Sequence, residues 1–288
     1  MKHQTSFGLS YEFFPPKSAE GATALANTAT RLAETEPAFF SVTFGAGGST
    51  REGTLETVKM LQNKIETPVV PHLSCIGSTR DEIVHFLKAY QNLGIDRIVA
   101  LRGDLPVGSD QLGEFKFASE LVQFIRETTG DHFYIEVAAY PEFHPQAATP
   151  TQDMLNLKRK IECGANSAMT QYFYNPDAYF YFIDQCAQFD IFVPIVPGIM
   201  PITQFARLAR FSDLCGAEIP MWIRKRLAEY GDDHESVKSF GTEVVYNLCQ
   251  KLIAGGAPGL HFYTLNQADA SLQLVSQLFR TKKLAMSE

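Results

Sequence analysis

One carboxylate stands where a buried strand is expected to be apolar. Glu12 lies in the run Leu9-Ser10-Tyr11-Glu12-Phe13-Phe14-Pro15-Pro16, and the proline pair stops the strand just after it. A carboxylate at the end of a core strand must be paired with a cation or must keep its proton. A carboxyl group that keeps its proton near neutral pH can serve as a general acid. For a lone glutamate a structural ion pair is the more common outcome, so its meaning depends on which other groups reach the same place.

Polar side chains also stand at the ends of six other predicted strands. Taken singly, His72 could be a core histidine, and Arg102 could simply neutralise Asp104 two residues on. Tyr140 and Tyr263 could be core aromatic residues whose hydroxyls reach the rim. Seven strand ends that converge on one mouth are hard to explain by packing, and they favour a functional site. The strand-end groups are Glu12, Thr43, His72, Arg102 with Asp104, Tyr140 with His144, Thr170 with Gln171, and Tyr263.

These groups need a scaffold that gathers strand ends, and the chain alternates strand and helix patterns eight times. A spacing of about thirty residues is typical of βα units, and eight of them predict a (β/α)8 TIM barrel, one domain over 1–288, with its site at the carboxyl ends of the strands. A Gly-x-Gly-x-x-Gly fingerprint is absent after the first strand, which disfavours a doubly wound dinucleotide fold. Strands are predicted over 7–14, 39–44, 69–75, 97–103, 133–140, 167–174, 192–199 and 259–265. Helices are predicted over 18–35, 51–65, 79–93, 115–129, 151–163, 176–189 and 267–281, with two or three more within 203–254.

A second cluster of polar residues follows the fifth strand. Thr149-Pro150-Thr151-Gln152 predicts a capped helix start with proline at the first helical position. Behind it Asp153, Asn156 and Lys160 share one helix face, and Arg159 lies beside Asn156. Because this helix begins at the active face of the barrel, these groups could hold a cofactor that carries phosphate and ribose. From the spacing alone, a solvated charged face is the preferred interpretation.

Composition excludes several classes of protein. The 288 residues are 45% hydrophobic with a net charge of −7, which allows a large core and argues against a nucleic-acid surface. Five dispersed cysteines without a Cys-x-x-Cys pair predict reduced thiols, and the scattered histidines predict no metal site. We find no signal-peptide pattern and no apolar run long enough to cross a membrane, so we expect a cytoplasmic protein. Gly45-Ala46-Gly47-Gly48 is expected to form a tight βα turn rather than a phosphate loop.

Nine segments of the chain together resemble the methylenetetrahydrofolate reductase family, specifically its short bacterial members that consist of the catalytic domain alone. Each segment is weak by itself, but their order and spacing over eight strands carry the resemblance. They are Glu12-Phe13-Phe14-Pro15-Pro16, Ser41-Val42-Thr43-Phe44-Gly45-Ala46, Pro71-His72-Leu73, Leu101-Arg102-Gly103-Asp104-Leu105-Pro106, Ala139-Tyr140-Pro141-Glu142-x-His144-Pro145, Leu155-Asn156-Leu157-Lys158-Arg159-Lys160, Thr170-Gln171, Pro197-Gly198-Ile199 and His261-Phe262-Tyr263-Thr264-Leu265-Asn266.

The resemblance implies a flavoenzyme of one-carbon metabolism and methionine supply. FAD would lie across the barrel mouth, take a hydride from NADH or NADPH, and pass it to 5,10-methylenetetrahydrofolate in a ping-pong reaction that gives 5-methyltetrahydrofolate. The family also suggests a homo-oligomer. The sequence does not choose between NADH and NADPH, since no adenine-ribose fingerprint is readable.

The resemblance also assigns roles to single residues. Glu12 matches the general acid, and Asp104 matches an acidic residue near both flavin and folate that we take as the second catalytic residue. Substrate-binding positions are Gln171, Asp104, Phe211, Tyr263 and Gln267. FAD-contact positions are Thr43, Phe44, Ala46, His72, Arg102, Gly103, Asp104, Ala118, Tyr140, His144, Ala147, Asp153, Asn156, Arg159 and Lys160.

The chain differs from its relatives at Phe44, Phe117 and Gln267. Gln267 stands where related enzymes often carry an arginine thought to hold the glutamate tail of folate, and a neutral amide cannot form that ion pair. Phe44 and Phe117 replace tyrosines, which removes hydroxyl contacts near the flavin. Three alternatives stay open: a flavin reductase of another pterin carrier, a non-catalytic flavin- or folate-binding relative, and a barrel lyase or aldolase without flavin.

Overall fold

A computed structural model describes residues 7–44, 51–104 and 113–285, and for Arg51 and 280–285 it describes the backbone alone. Three expectations from the sequence lie outside the described residues. These are the cofactor contact of Ala46, the tight turn at Gly45-Ala46-Gly47-Gly48, and the Leu105-Pro106 part of the fourth strand-end motif.

Eight parallel strands close into a barrel in chain order, and β1 pairs with β8 to complete the ring. Each strand follows one predicted from the sequence, so the (β/α)8 fold is confirmed. The strands are β1 (Gly8–Phe13), β2 (Phe39–Val42), β3 (Val69–Ser74), β4 (Arg97–Leu101), β5 (Tyr134–Ala139), β6 (Ser167–Tyr172), β7 (Ile195–Ile199) and β8 (Gly259–Tyr263).

In the described residues ten helices surround the barrel, and three of them lie between β7 and β8, within the predicted segment 203–254. They are α1 (Ala19–Ala33), α2 (Arg51–Gln62), α3 (Arg80–Asn92), α4 (Ala118–Thr129), α5 (Pro150–Glu162), α6 (Pro176–Gln188), α7 (Phe205–Cys215), α8 (Met221–Tyr230), α9 (His234–Ala254) and α10 (Asp269–Ala285). The predicted start of α5 is confirmed, since the Thr149 hydroxyl accepts a hydrogen bond from the Gln152 amide and Pro150 is the first helical residue.

The alternation of side chains along each strand divides the apolar residues into two cores. The larger core lies between the barrel wall and the helices, and on β1 it takes Tyr11 and Phe13. A smaller cluster of Phe39, Val70 and Val99, with Met169, fills the inside of the barrel. Ser10 and Glu12 alternate with the outward-facing aromatic residues of β1, so they point into this interior.

The lower part of the barrel interior contains a buried ion pair. The Glu136 carboxylate of β5 is 3.0 Å from Nη1 of Arg97 on β4, and only 2% of Glu136 is exposed. Burial raises the pKa of Glu136, and the Arg97 charge opposes that rise. The Arg97 guanidinium also lies over the rings of Phe39 and Tyr134, 4.9 and 4.4 Å from their centroids. This cluster of Glu136, Arg97 and two rings separates the barrel mouth from the opposite face.

The loop after β8 is tied to the loop after β1 by one asparagine. The Asn266 side chain accepts a hydrogen bond from the Phe14 amide at 2.8 Å and donates one to the Phe14 carbonyl at 2.9 Å. Leu265 and Asn266 adopt positive φ angles of 52° and 59°. An asparagine tolerates this backbone region better than most residues. The connection holds Gln267 at the barrel mouth.

Every predicted strand extends beyond the observed one by one to three residues at one or both ends, and two of these differences have a clear physical cause. The prediction placed Arg102 and Asp104 on one face of a strand over 97–103, but β4 ends at Leu101, and Gly103 has a φ of +84° that turns the chain away. The strand predicted over 192–199 begins only at Ile195. Pro194 cannot donate to the ladder, and Phe192 is 78% exposed.

Gly198 on β7 gives the fold its first testable prediction. A Cβ at this position would overlap the Thr170 carbonyl oxygen and come within 2.6 Å of the Tyr263 ring. We expect Gly198→Ala to lower the free energy of unfolding by roughly 1–3 kcal/mol, because backbone cannot move aside cheaply. Gly8→Ala is the matched control, since a Cβ on that strand glycine meets nothing within 4 Å. Urea unfolding followed by circular dichroism measures both, and equal stability of the two variants would contradict the prediction.

Candidate active site

Glu12 lies at the barrel mouth between two histidines. Its Oε2 atom is 3.5 Å from Nε2 of His72 on β3 and 3.5 Å from Nε2 of His261 on β8. The Glu12 side chain is 12% exposed, while those of His72 and His261 are 5% and 0% exposed. The carboxyl group therefore meets solvent on one side and two buried imidazoles on the other.

Strand register explains how His261 comes to this place. In the β1–β8 ladder Ser10 is paired with His261 and Glu12 with Tyr263, so these four residues lie on the inner face. Sequence reasoning gave His261 no role in the site. The available signal was the period of two, because His261 stands two residues before Tyr263 and therefore shares its face.

His72 is uncharged at physiological pH. Burial lowers its pKa to about 4, and the nearby Glu12 carboxyl opposes this shift only in part. The sequence suggested a contact between His72 and the cofactor, which stays a prediction. Its Nε2 atom instead faces Glu12.

Tyr263 and Gln171 form the wall beside Glu12. The Tyr263 hydroxyl donates to the Thr170 carbonyl at 2.8 Å, and burial, with Glu12 next, raises its pKa. The Gln171 side-chain oxygen accepts a hydrogen bond from the Tyr172 amide at 3.0 Å. Its NH2 group has no partner in the described part of the chain, so it can donate to a ligand in the mouth.

Arg102 and Asp104 lie on the opposite rim, just after β4. Arg102 donates to the Gln146 side-chain oxygen at 2.5 Å and to the Gly103 carbonyl at 3.1 Å. Asp104 is exposed, and the structure brings no Arg102–Asp104 ion pair within 4.0 Å. The interpretation of the two as a neutralising pair is therefore wrong. Gly103 packs so closely that a Cβ would overlap the Ser74 hydroxyl.

The loop between β5 and α5 joins three of the predicted cofactor positions. The Tyr140 and His144 rings meet edge to face, with centroids 4.5 Å apart. The His144 amide donates to the Asp153 carboxylate at 2.9 Å, and the Ala147 amide donates to the His144 carbonyl at the same distance. These contacts hold Asp153, in the first turn of α5, against the mouth.

Further along α5, the cations Lys160 and Arg159 are hydrogen-bonded to uncharged oxygen atoms. The Lys160 ammonium donates to the Ala138 carbonyl at 2.5 Å, and Arg159 contacts the Asn156 side-chain oxygen at 3.5 Å. Burial lowers the pKa of Lys160 to about 8, although Asp153 partly opposes the shift. Within the described residues no carboxylate oxygen lies within 4.0 Å of the cationic groups of Arg102, Arg159 or Lys160. Three such cations fit a diphosphate, because phosphate oxygens can supply the missing anionic partners.

The remaining predicted cofactor positions lie at strand ends and helix starts of the same face. The Thr43 amide donates to the Phe13 carbonyl at 2.9 Å, which binds the end of β2 to the end of β1. Ala118 is the first residue of α4, and Phe44 is half-buried. None of these positions is shown to bind a cofactor, and each stays a prediction.

A cleft of about 390 Å³ opens beside the mouth, between α7, α9 and the start of α10. It is lined by Gln267 together with Arg207 and Lys238. Phe211 lies one turn beyond Arg207, and the guanidinium sits 5.6 Å from the centroid of its ring. Sequence reasoning missed Arg207, although its spacing of four residues from Phe211 was a usable signal.

Comparison with known proteins decides the family. A sequence model described as methylenetetrahydrofolate reductase matches residues 1–279. The chain belongs to the methylenetetrahydrofolate reductase family. The 5,10-methylenetetrahydrofolate reductase of Escherichia coli K12 is 39% identical over 275 residues, covering 96% of this chain and 92% of that protein.

A plant member of the reductase family and one solved structure are also similar to this chain. Methylenetetrahydrofolate reductase (NADH) 1 of Arabidopsis thaliana is 38% identical over 288 residues, which cover 96% of this chain and 48% of the plant protein. A Clostridium thermocellum protein, described as binding two copies of 5-methyl-5,6,7,8-tetrahydrofolic acid, superposes with a TM-score of 0.67 at 17% identity, covering 95% of both chains. At that identity the likeness supports the fold alone.

Two kinds of feature are absent from the described part of the chain. No helix there is long and apolar enough to span a membrane. No group of three or more histidine, cysteine, aspartate or glutamate side chains there is arranged to hold a metal ion.

Lys160 supplies a prediction about stability and pH. The unfolded chain holds the Lys160 proton up to about pH 10.5 and the folded chain only up to about pH 8, so its burial destabilises the protein below pH 8. We expect Lys160→Met to raise the free energy of unfolding of the cofactor-free protein at pH 7 by roughly 1–3 kcal/mol, and the gain to shrink between pH 8 and 10.5.

The control for this prediction is Lys158→Met. Lys158 lies on the same helix but is paired at 3.4 Å with an exposed carboxylate of Asp190. Its replacement is expected to change stability by less than about 1 kcal/mol at either pH. Urea titrations at pH 7 and pH 10 measure both variants, and a loss of stability in Lys160→Met at pH 7 would contradict the prediction.

Proposed function

We propose that this protein reduces 5,10-methylenetetrahydrofolate to 5-methyltetrahydrofolate, with FAD as cofactor and NADH or NADPH as reductant. The observation that carries the proposal is Glu12, a carboxyl group at the mouth of a barrel of this family with two buried histidines behind it. Family membership supports the folate substrate, and the name of the Arabidopsis relative supports a pyridine nucleotide.

The three cations around the mouth support a role for FAD. Arg102, Arg159 and Lys160 would bind its diphosphate, while Asp153 and Asn156 offer hydrogen-bonding groups to its hydroxyls. When bound, FAD would supply the hydride chemistry, accepting a hydride from the nicotinamide and passing it to the folate in separate half-reactions.

In this reaction the residues of the chain would supply a proton and bind the two substrates. Glu12 would donate its proton to the folate nitrogen that departs as the methylene bridge opens, which makes the carbon a better hydride acceptor. Asp104 on the exposed rim would help to bind the pterin. Gln171 offers both a donor and an acceptor, which suits a contact shared by folate and nicotinamide.

Glu12 gives this function its direct test. We expect purified protein to release FAD on denaturation, and NADH or NADPH to bleach the bound flavin under anaerobic conditions. In Glu12→Gln bleaching should persist, while reoxidation by methylenetetrahydrofolate falls at least a hundredfold, because an amide has no proton to give. Stopped-flow absorbance measures both half-reactions.

Glu142→Gln is the control, because Glu142 lies on the same face and uses its carboxylate only to accept from the Glu218 amide at 2.7 Å. Protein that cannot be loaded with FAD would refute the proposal. Equal loss of both half-reactions in Glu12→Gln would refute the acid role, and bleaching without any transfer to folate would favour another pterin carrier.

The cleft beside the mouth suggests where the glutamate tail of folate would bind. Arg207 faces Gln267 across a space of about 390 Å³, and Lys238 lies further along the same wall. Asp269 is already paired with Arg31 at 2.6 Å and Lys238 with Glu235 at 3.4 Å, so Arg207 leaves the cleft with a positive balance. Arg207 would therefore supply the charge that Gln267 lacks.

A charge exchange tests this assignment. We expect Arg207→Gln to raise the KM for the folate roughly fivefold with little change in kcat, since a partly exposed ion pair contributes about 1 kcal/mol. The double variant Arg207→Gln/Gln267→Arg should recover much of the loss by returning the cation to the other wall. Arg210→Gln, an exposed arginine of the same helix outside the cleft, is the control. An unchanged KM in Arg207→Gln would place the tail elsewhere.

A further inference from the structure

Two buried nitrogen atoms beside Glu12 have no hydrogen-bond partner. Nε2 of His72 and Nε2 of His261 are both sealed from solvent, and neither makes a hydrogen bond in the described part of the chain. The same Glu12 oxygen lies 3.5 Å from each of them. Buried polar atoms are normally satisfied, so an unpaired pair aimed at one carboxyl group suggests a function.

The distances allow one bond at a time. A formed N···O hydrogen bond measures about 2.7–3.2 Å, and catalytic bonds are often longer before the substrate binds. A small rotation of the carboxyl group would bring Oε2 into bonding range of one imidazole or of the other. Glu12 can therefore share its proton with a single histidine.

Ser10 distinguishes the two histidines. Its hydroxyl lies 2.7 Å from Nδ1 of His261, on the side of the ring opposite Glu12. If Ser10 accepts the Nδ1 proton, Nε2 is a bare acceptor for a protonated Glu12. If Ser10 donates to Nδ1, Nε2 carries the proton and stabilises the ionised carboxylate instead.

We propose that Ser10 accepts the Nδ1 proton of His261, so that Nε2 of His261 accepts the acidic proton of Glu12 and holds that carboxyl group protonated and aimed at the mouth. Ser10 and His261 are then positioning residues that act through Glu12. The inference rests on the proposed acid role of Glu12, because an Nε2–H donor would favour the form of Glu12 that has no proton to give.

The other ionisable groups around His261 are compatible with a neutral ring. His72 on β3 is itself neutral, since burial lowers its pKa to about 4. Glu136 on β5 interacts with His261 but has Arg97 of β4 as its partner at 3.0 Å. Tyr263, two residues along β8, meets the His261 ring edge to face at 5.3 Å and has a pKa raised well above its usual value. His261 is fully buried and Glu136 is held by Arg97, so a protonated Glu12 would leave the ring without an anionic partner and would disfavour an imidazolium.

The tautomer can be read directly from the unmodified protein. Nitrogen-15 NMR of histidine-labelled protein, with the His261 signals assigned from a His261→Gln variant, distinguishes a protonated ring nitrogen from a bare one. We expect a protonated Nδ1 and a bare Nε2 at neutral pH. A proton on Nε2 would overturn the proposal whatever the catalytic activity of the protein.

Ser10→Ala tests the consequence for the acid. Without the serine the Nε2–H tautomer becomes accessible, so we expect the signals of His261 to shift toward it. The folate half-reaction should slow roughly tenfold at neutral pH and recover at lower pH, because one net hydrogen bond corresponds to about one power of ten. Bleaching by NADH or NADPH, which needs no proton from Glu12, should keep its rate.

Ser41→Ala is the matched control. Ser41 on β2 is opposite Glu12 in the strand register, and its buried hydroxyl makes no hydrogen bond in the described residues. We expect it to leave the His261 tautomer and both half-reactions unchanged. Equal slowing of both half-reactions in Ser10→Ala, or slowing of neither, would overturn the proposal. Wild-type protein without any folate half-reaction would refute the proposed function, whereas the NMR result would still identify the tautomer.

Discussion

The structure depends on one constraint, which is that a closed parallel barrel must bury whatever its inner faces carry. At its lower end the protein meets this constraint with Glu136 and Arg97, whose opposite charges neutralise each other beneath a layer of apolar side chains. At the upper end it leaves Glu12 with two buried imidazoles instead of an arginine or a lysine. An arginine in their place would hold the carboxylate ionised, and a wholly apolar lining would leave it without any hydrogen-bonding partner. The two histidines instead place polar nitrogen atoms beside the carboxyl group.

The cations around the rim are likewise held by uncharged groups rather than by ions of opposite charge. The chain carries a net charge of −7, yet Arg102 and Lys160 are each oriented by hydrogen bonds to neutral oxygen atoms. Carbonyl and amide acceptors fix the direction of a cation without cancelling its charge, so the field at the mouth remains available to an anionic ligand. The cost is visible at Lys160, where burial lowers the pKa to about 8. Binding capacity is thus maintained at the expense of the stability of the empty protein.

Much of the fold could be predicted, because the period of two in the strands and the repeat of strand and helix are local in sequence. All eight strands and the capped start of α5 were found in this way. The errors have physical causes: β4 ends early because Gly103 adopts a positive φ, and β7 starts late because of Pro194. Glu12 could be recognised as unusual from its neighbours in the chain. Its partner His261 lies 249 positions away and was overlooked, because the strand register alone brings them together. The cleft residue Arg207 was also missed, although it lies only four positions from Phe211 on α7.

The pairing of β1 with β8 also affects the order in which the protein folds. Asn266 is hydrogen-bonded to the backbone of Phe14, which lies 252 positions earlier in the sequence. Glu12 and His261 are separated by nearly as many residues. Contacts of such high sequence separation pay the largest loop-closure entropy and form late in folding. A ribosome-bound chain that lacks its last strand therefore holds Glu12 at an open sheet edge, without His261. Glu12 meets His261 only when the ring closes, so this pair forms only once folding of the barrel is complete.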